Sequence, residues 1–275
     1  MPSDQITKPP LPPKIAVSAI VDTGKFLILM SILFWMINVG TQQLGYNWQW
    51  YRIPRYFFQI TDQGFTFGLL LQGLGVTLQI TAISLLLMLA IGLATALLRM
   101  SNSWVGRGVA RGYMELIRNS PLLIQIFFIY FVIAPIIGMS GFWAAVIALS
   151  LFEGAYASEI FRAGITSIHK GQWEAAKSLG MPAGPMYWHI ILPQAIRRVL
   201  PPLTSQAVSL IKDSALVSTV AILDLTQQGR MIDAETFLTF EIWFTVAAIY
   251  LVITLALSLV VRVLENRSNG HGHNL

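Results

Sequence analysis

The chain has no cysteine among its 275 residues, which excludes disulfides and thiolate metal sites. Charge is scarce as well. Lys, Arg, Asp and Glu make up 11% of the sequence, where a soluble domain carries about 25%. No Gly-x-x-x-x-Gly-Lys-Ser/Thr run is present, so the sequence offers no phosphate loop for a nucleotide. Of the four histidines, His271 and His273 sit in a polar tail that reads as a disordered end rather than a metal clamp. No metal or cofactor site is expected in the chain. The formal net charge of +5 does not point to nucleic acid, because the basic residues flank apolar runs instead of forming one stripe. The first 25 residues lack an apolar leader, are rich in proline (Pro9, Pro10, Pro12, Pro13), and read as a flexible cytoplasmic tail.

What the chain has in quantity is apolar surface. Hydrophobic residues make up 55%, more than a soluble core of this size requires, and they fall in long runs. A helix crosses the hydrocarbon of a bilayer with about 20 mostly apolar residues. Six stretches qualify as candidates: 26–39, 74–98, 121–138, 142–161, 199–223 and 242–264. The expected fold is therefore an all-α, polytopic membrane helix bundle of about six spans.

Basic residues give the orientation. With the N-terminus inside, the inner segments hold Lys8, Lys14 and Lys25; Arg99, Arg107, Arg111 and Arg118; Arg162, Lys170, Lys177, Arg197 and Arg198; and Arg262 and Arg267. The outer segments hold Arg52, Arg55 and Arg230. Fourteen against three predicts that both termini are cytoplasmic. The outer segment between the first two spans carries Tyr46, Trp48, Trp50, Tyr51, Tyr56, Phe57 and Phe58. Trp and Tyr favour the headgroup layer, so part of this stretch is expected on the outer membrane surface.

The long inner loop, residues 164–193, carries the most specific signal. Glu174-Ala175-Ala176 is followed by three residues, Gly180, nine residues, Ile190, one residue and Leu192-Pro193. The segment from Trp173 to Leu179 is built of good helix formers. Gly180 suits the left-handed position that ends a helix, and Pro182 and Pro185 stop the first helix and can open a second. Two short helices meeting at a sharp turn are predicted. Ala175 and Ala176 would keep one face low for another protein, and Glu174 near a helix start suits the dipole.

This spacing resembles the EAA signature of ABC-importer permeases, with seven fixed residues over twenty positions in place. The resemblance extends over roughly 68–266. Glu115, Arg118, Pro121 and Gln125 fall as in the E-x-x-R-x-x-P-L-x-x-Q run of polar amino acid permeases of the histidine/glutamine/glutamate type. Glu153-Gly154-Ala155-Tyr156 with Glu159, Arg162 and Gly164 resembles a second signature, and the segment from Leu210 through Lys212, Asp213 and Ser214 to Leu216 a third. His189 and the group Pro182, Gly184 and Pro185 depart from the more basic, continuous helix of many relatives.

The resemblance implies a five-span type I importer core at 68–265, preceded by a tail (1–25) and an added N-terminal span with its aromatic segment (26–67), and followed by a disordered tail (266–275). It implies that Glu174, Ala175, Ala176 and Gly180 dock a separate ATPase dimer, which carries the ATP and magnesium. It also implies a second permease, identical or related, a periplasmic amino-acid-binding protein, and residence in a bacterial inner membrane. The chain itself would be no enzyme.

Ionised side chains within spans cost at least ~2.5–3.5 kcal/mol at the bilayer centre, so they face protein or a wet cavity. A zwitterionic substrate needs both signs. Glu153, Lys212 and Asp213, with Gln125 and Ser214 as hydrogen-bonding partners, are candidates for the translocation path. Two readings of these charges stand side by side: a substrate path, or structural pairs such as Lys212 with Asp213 or with Glu153. Glu159 with Arg162, and Glu115 with Arg118, read as structural pairs near the inner surface. The functional expectation is an ATP-driven importer subunit for polar amino acids. The alternative is a gradient-driven secondary transporter with acidic ion sites, a class that commonly shows internal repeats; no clear repeat is visible.

Overall fold

The computed structural model describes residues 13–43, 45–61 and 64–269, so His271, His273 and most of the proline-rich start lie outside the described residues. The chain divides into two compact units, Met1–Gln49 and Trp50–Leu275. The first holds helix α1 (Pro13–Gln43). It begins well before the tail boundary expected at Lys25, with proline at its first position, where a missing N–H breaks no helical bond. Its Val21–Gly40 stretch has a mean hydropathy of 1.5, enough to cross a membrane.

The second unit opens with a 3-10 turn (Trp50–Tyr56) and a small antiparallel hairpin, β1 (Phe58–Thr61) and β2 (Gly64–Phe67), the one pair of strands among the described residues. Phe58 faces Phe67 and Ile60 faces Phe65. Side chains alternate across a strand, so the three phenylalanines share a face, and the Phe58 and Phe65 rings stack at 5.2 Å. Helices follow: α2 (Leu69–Met100), α3 (Trp104–Arg118), α4 (Leu122–Phe127) running through a π-helical stretch into α5 (Ala134–Ile137), and α6 (Gly141–Thr166). The short α7 (Lys170–Ser178) and α8 (Ala183–Met186) lead through a π-helical turn into α9 (Leu192–Asp213), with α10 (Leu225–Thr236) and α11 (Thr239–Asn269) completing the chain. α11 thus runs past residue 266, where the disordered tail was expected to begin.

Among the described residues, four helices are long and apolar enough to cross a membrane by themselves, through Val21–Gly40, Leu69–Met100, Gly141–Thr166 and Thr239–Leu259. A bent pair, Trp104–Arg118 with Leu122–Ile137, makes a fifth if it counts as one span. The bend is 107° and falls at Ser120–Pro121. There Gln125 Nε2 donates to the Ile117 carbonyl at 2.7 Å and to the Ser120 carbonyl and hydroxyl at 3.1 and 2.9 Å. The stretch expected as a further span at 199–223 is divided: α9 ends at Asp213 and a 3-10 turn (Ser214–Val220) follows. α9 bears Arg197, Arg198, Lys212 and Asp213 and is amphipathic, so composition alone does not qualify it as a span.

α2 and α6 form the centre. Their contact uses small residues, which let helix backbones approach in an apolar solvent. A Cβ on Gly92 would stand 2.7 Å from Ala157 Cβ. Ser84 donates to the Val146 carbonyl at 3.3 Å across the same contact. Ile80, Leu149, Ile126 and Leu210 tie α2, α6, α4 and α9 into one buried core, while Ile53, Leu70, Leu225 and Ile242 form a second beneath the 3-10 turn. Thr77 of α2 accepts from the Leu225 N–H at 3.1 Å, fixing the start of α10.

Candidate functional site

The inner loop folds as a module with its own small core. Gly164, near the end of α6, packs against Val199 of α9 so closely that an added Cβ would stand 2.1 Å from its Cγ2 and force it to move. Ser167 is held by Arg198, which donates to its carbonyl and, at 2.9 Å, to its hydroxyl. His169 caps α7, its Nδ1 accepting from Gly171 N–H at 3.1 Å. At the other end, Gly180 has φ +69°. The N–H groups of Gly180 and Met181 close the helix on the carbonyls of Lys177 and Ala176 at 2.9 and 3.1 Å, and Pro182 then opens α8. The two predicted helices and the turn at Gly180 are therefore present.

Beneath them Ile168, Ala176, Met186, Ile191 and Ala195 are buried together. Trp173 meets Tyr187 edge-on at 5.2 Å, and Gln194 of α9 bridges to Gln172 of α7 at 3.3 Å. Ala176 departs from the expectation that both alanines present a low outer face: it is fully buried in this core. A helix of nine residues can turn only one face outward, and here that face shows Glu174, Ala175 and Ser178. Leu179 and Trp188 are 79% and 71% exposed beside it. Neither was singled out in the sequence, although a large apolar side chain next to a helix-ending glycine is a signal that could have drawn attention.

A second constellation lies within the bundle. Glu153, on α6, is fully buried. One carboxylate oxygen accepts from the Gln206 side-chain amide on α9, and the other has no hydrogen-bond partner. Lys212 and Asp213 lie within electrostatic reach of the same carboxylate. Among the described residues Lys212 makes no ion pair within 4.0 Å with Asp213 or Glu153, so the structural pairs considered for it are not formed. The structure thus groups Glu153 with Lys212 and Asp213, and adds Gln206, which its lack of charge concealed. Of the other two candidates, Gln125 holds the bend at Pro121 through its amide nitrogen while its Oε1 has no hydrogen-bond partner, and the Ser214 hydroxyl donates to the Ile211 carbonyl at 2.7 Å.

Glu159 is the hub of a third group. It accepts from Arg99 of α2 at 2.7 Å and from Arg162 at 2.9 and 3.1 Å, and Arg118 of α3 stands 3.4 Å away. The Glu159–Arg162 pair is present as expected. Glu115 instead binds the Asn119 side chain at 2.8 Å, and its expected partner Arg118 turns to Glu159 and the Tyr156 ring.

A bundle of apolar helices with a separately cored loop between α6 and α9 defines a membrane component of a transport system. Residues 87–270 match the family of binding-protein-dependent transport system inner membrane components, and the chain belongs to that family. It is a multi-pass inner-membrane subunit whose systems include a separate ATPase and a binding protein. The chain is 40% identical over 202 residues to the glutamine transport system permease protein GlnP of Escherichia coli K12, covering 72% of this chain and 92% of that one. Over 200 residues it is 35% identical to the arginine transport system permease protein ArtQ of Bacillus subtilis, covering 72% and 91%. Among solved structures, an amino acid ABC transporter crystallised with histidines superposes with a TM-score of 0.68 at 39% identity, over 72% of this chain and 94% of that chain. The inward-facing MetNI methionine ABC transporter gives 0.64 at 19% identity, over 73% and 96%, a likeness of fold.

Proposed function

We propose that this chain is the permease of an ATP-driven importer of polar amino acids, and that the loop 164–193 receives a separate ATPase. The observation that carries this reading is the outward face of α7. Glu174, Ala175 and Leu179 stand clear of a rigid, independently packed support, as a surface that transmits force must. Amino acids are favoured as cargo because the similar permeases carry glutamine and arginine systems in their names. Two permeases, identical or related, enclose the path. Two ATPase subunits hold the ATP and magnesium, and a periplasmic binding protein delivers the cargo. Both termini face the cytoplasm, as the distribution of Lys and Arg favours. ATP binding draws the ATPases together, and the docked loops rock the helices between outward-open and inward-open states.

Glu153, steadied by Gln206 and flanked by Lys212 and Asp213, supplies the path with both signs of charge. The carboxylate oxygen that accepts no hydrogen bond, with the Asp213 carboxyl beside it, would accept from an α-ammonium group.

Co-expression with the neighbouring transport genes tests the docking. The wild type is expected to co-elute with an ATPase, and Glu174→Arg to lose it or its amino-acid-stimulated hydrolysis. If no ATPase binds the wild type under any condition, the docking reading fails. In proteoliposomes of the same complex, Glu153→Gln is expected to lower uptake while leaving co-elution intact. Unchanged affinity and rate would remove Glu153 from the path.

A further inference from the structure

α3 divides into three faces. Ala110, Met114 and Ile117 are buried against the bundle. Arg107, Arg111, Glu115 and Arg118, spaced by four, four and three residues, form a charged row, because residues three and four apart on a helix are neighbours. Val105, Val109 and Leu116 form an exposed apolar row, and Trp104 at the helix start is 79% exposed. Between the charged and apolar rows lie Gly108 and Gly112, where an added Cβ would meet nothing within 4 Å. A low saddle therefore joins the two.

The charged row borders a cavity of about 340 Å³ lined by Arg99, Arg111, Glu115, Arg118, Asn119, Tyr156 and Glu159, with Met114 beneath. Its charges do not balance. Arg99, Arg118 and Arg162 all converge on the single carboxylate of Glu159. Among the charged side chains that line the cavity, Arg99, Arg111 and Arg118 stand against Glu115 and Glu159. Three guanidiniums against two carboxylates leave one positive charge in excess, which a further anion would balance. Depth selects its source. Arg99 is next to the last residue of α2, whose 32 residues extend about 48 Å against a hydrocarbon core of about 30 Å, which puts that end at headgroup level.

We propose that this cavity holds the phosphate of an anionic phospholipid from the inner leaflet, with the acyl chains crossing the Gly108–Gly112 saddle onto Val105, Val109 and Leu116. Arg111 and Arg118 bind the phosphate, and Trp104 sits at the interface beside it. A helix with a basic row and an opposed apolar row lies in the plane of the membrane surface and favours anionic lipid. A free inorganic anion would use the cavity but would leave the apolar row without a partner.

The test is native mass spectrometry of the full-length protein in detergent micelles doped with phosphatidylglycerol or phosphatidylcholine. The wild type is expected to retain phosphatidylglycerol selectively. Arg111→Gln is expected to weaken that retention about five-fold, the equivalent of ~1 kcal/mol for one basic residue at an anionic surface. Arg230→Gln, an exposed charge on α10, is expected to leave it unchanged. Equal retention of the two lipids, or an Arg111→Gln variant that behaves as wild type, overturns the site. Displacement of the lipid by inorganic phosphate at matching concentration overturns the lipid as its source. Because the chain has no cysteine, Val109→Cys is a single thiol. A disulfide-linked dimer through it in native membranes would show the apolar row covered by a second copy, which also overturns the proposal.

Discussion

Replacing Gly92 with alanine tests whether the close approach of α2 and α6 sets the stability of the bundle. The new Cβ would lie 2.7 Å from Ala157 Cβ and 3.2 Å from both the Ala157 carbonyl carbon and the Gly154 carbonyl oxygen. Two of these three obstacles are backbone, so no rotamer change relieves them, and the helices must separate along their shared face. Overpacking of this kind costs about 1–3 kcal/mol. Alanine also returns up to ~1 kcal/mol of helix propensity, which masks part of the effect. Gly75→Ala on the same helix separates the two contributions, since its Cβ would meet nothing within 4 Å. It gains the propensity without the clash. The difference between the two variants is therefore the packing cost alone, about 1–3 kcal/mol, or several degrees at roughly 2–4 °C per kcal/mol. Thermal unfolding of both variants in the same detergent reads this directly, with Gly75→Ala at or above wild type and Gly92→Ala clearly below Gly75→Ala. Equal midpoints would refute the claim that small residues set this contact.

Gly180→Ala should leave the bundle folded, because nothing lies within 4 Å of the new Cβ, but holding alanine at φ +69° costs roughly 1–2 kcal/mol. ATP hydrolysis by the complex should fall while the midpoint of the helix core stays near wild type. Thr77→Val removes the acceptor of the buried Leu225 N–H and should destabilise by about 1–3 kcal/mol, with hydrogen exchange in Leu225–Thr236 rising first. Glu159→Gln leaves Arg99 and Arg162 without their carboxylate. The group is partly exposed, so about 1 kcal/mol or less per pair is at stake, and the wild-type advantage should shrink as salt is raised.

Sequence reading located the inner loop well because its fold is dictated locally. Gly180 needs a left-handed backbone and Pro182 cannot continue a helix, so the turn is written into adjacent residues. The direction of Ala176 was not legible. Which of two neighbouring alanines turns inward depends on Met186, Ile191 and Ala195 arriving from further along the chain. The same holds for charge partners. Arg118 and Glu115 look paired at three residues apart, yet Arg118 meets Glu159 across 41 positions. Gln206 escaped notice because only the fold sets it against Glu153. The sharp bend before α4 was half visible as Pro121, but reading it as a right-angled turn required Gln125 to fold back onto Ile117. The hairpin at Phe58–Phe67 was missed because its aromatics suggest a membrane surface and conceal their period of two.

The contact of Gly164 with Val199 has a mechanical consequence. It brings α6 and α9 together near the loop 164–193, so an opening of the two helices hinged there would widen with distance from the contact. Gln206 stands seven residues beyond Val199, about 10 Å along the axis. An opening of about 10° at the pivot therefore separates Gln206 from Glu153 by ~2 Å, enough to break a hydrogen bond. On the proposed docking, a small rotation of the loop would therefore reach the hydrogen bond between Gln206 and the buried carboxylate.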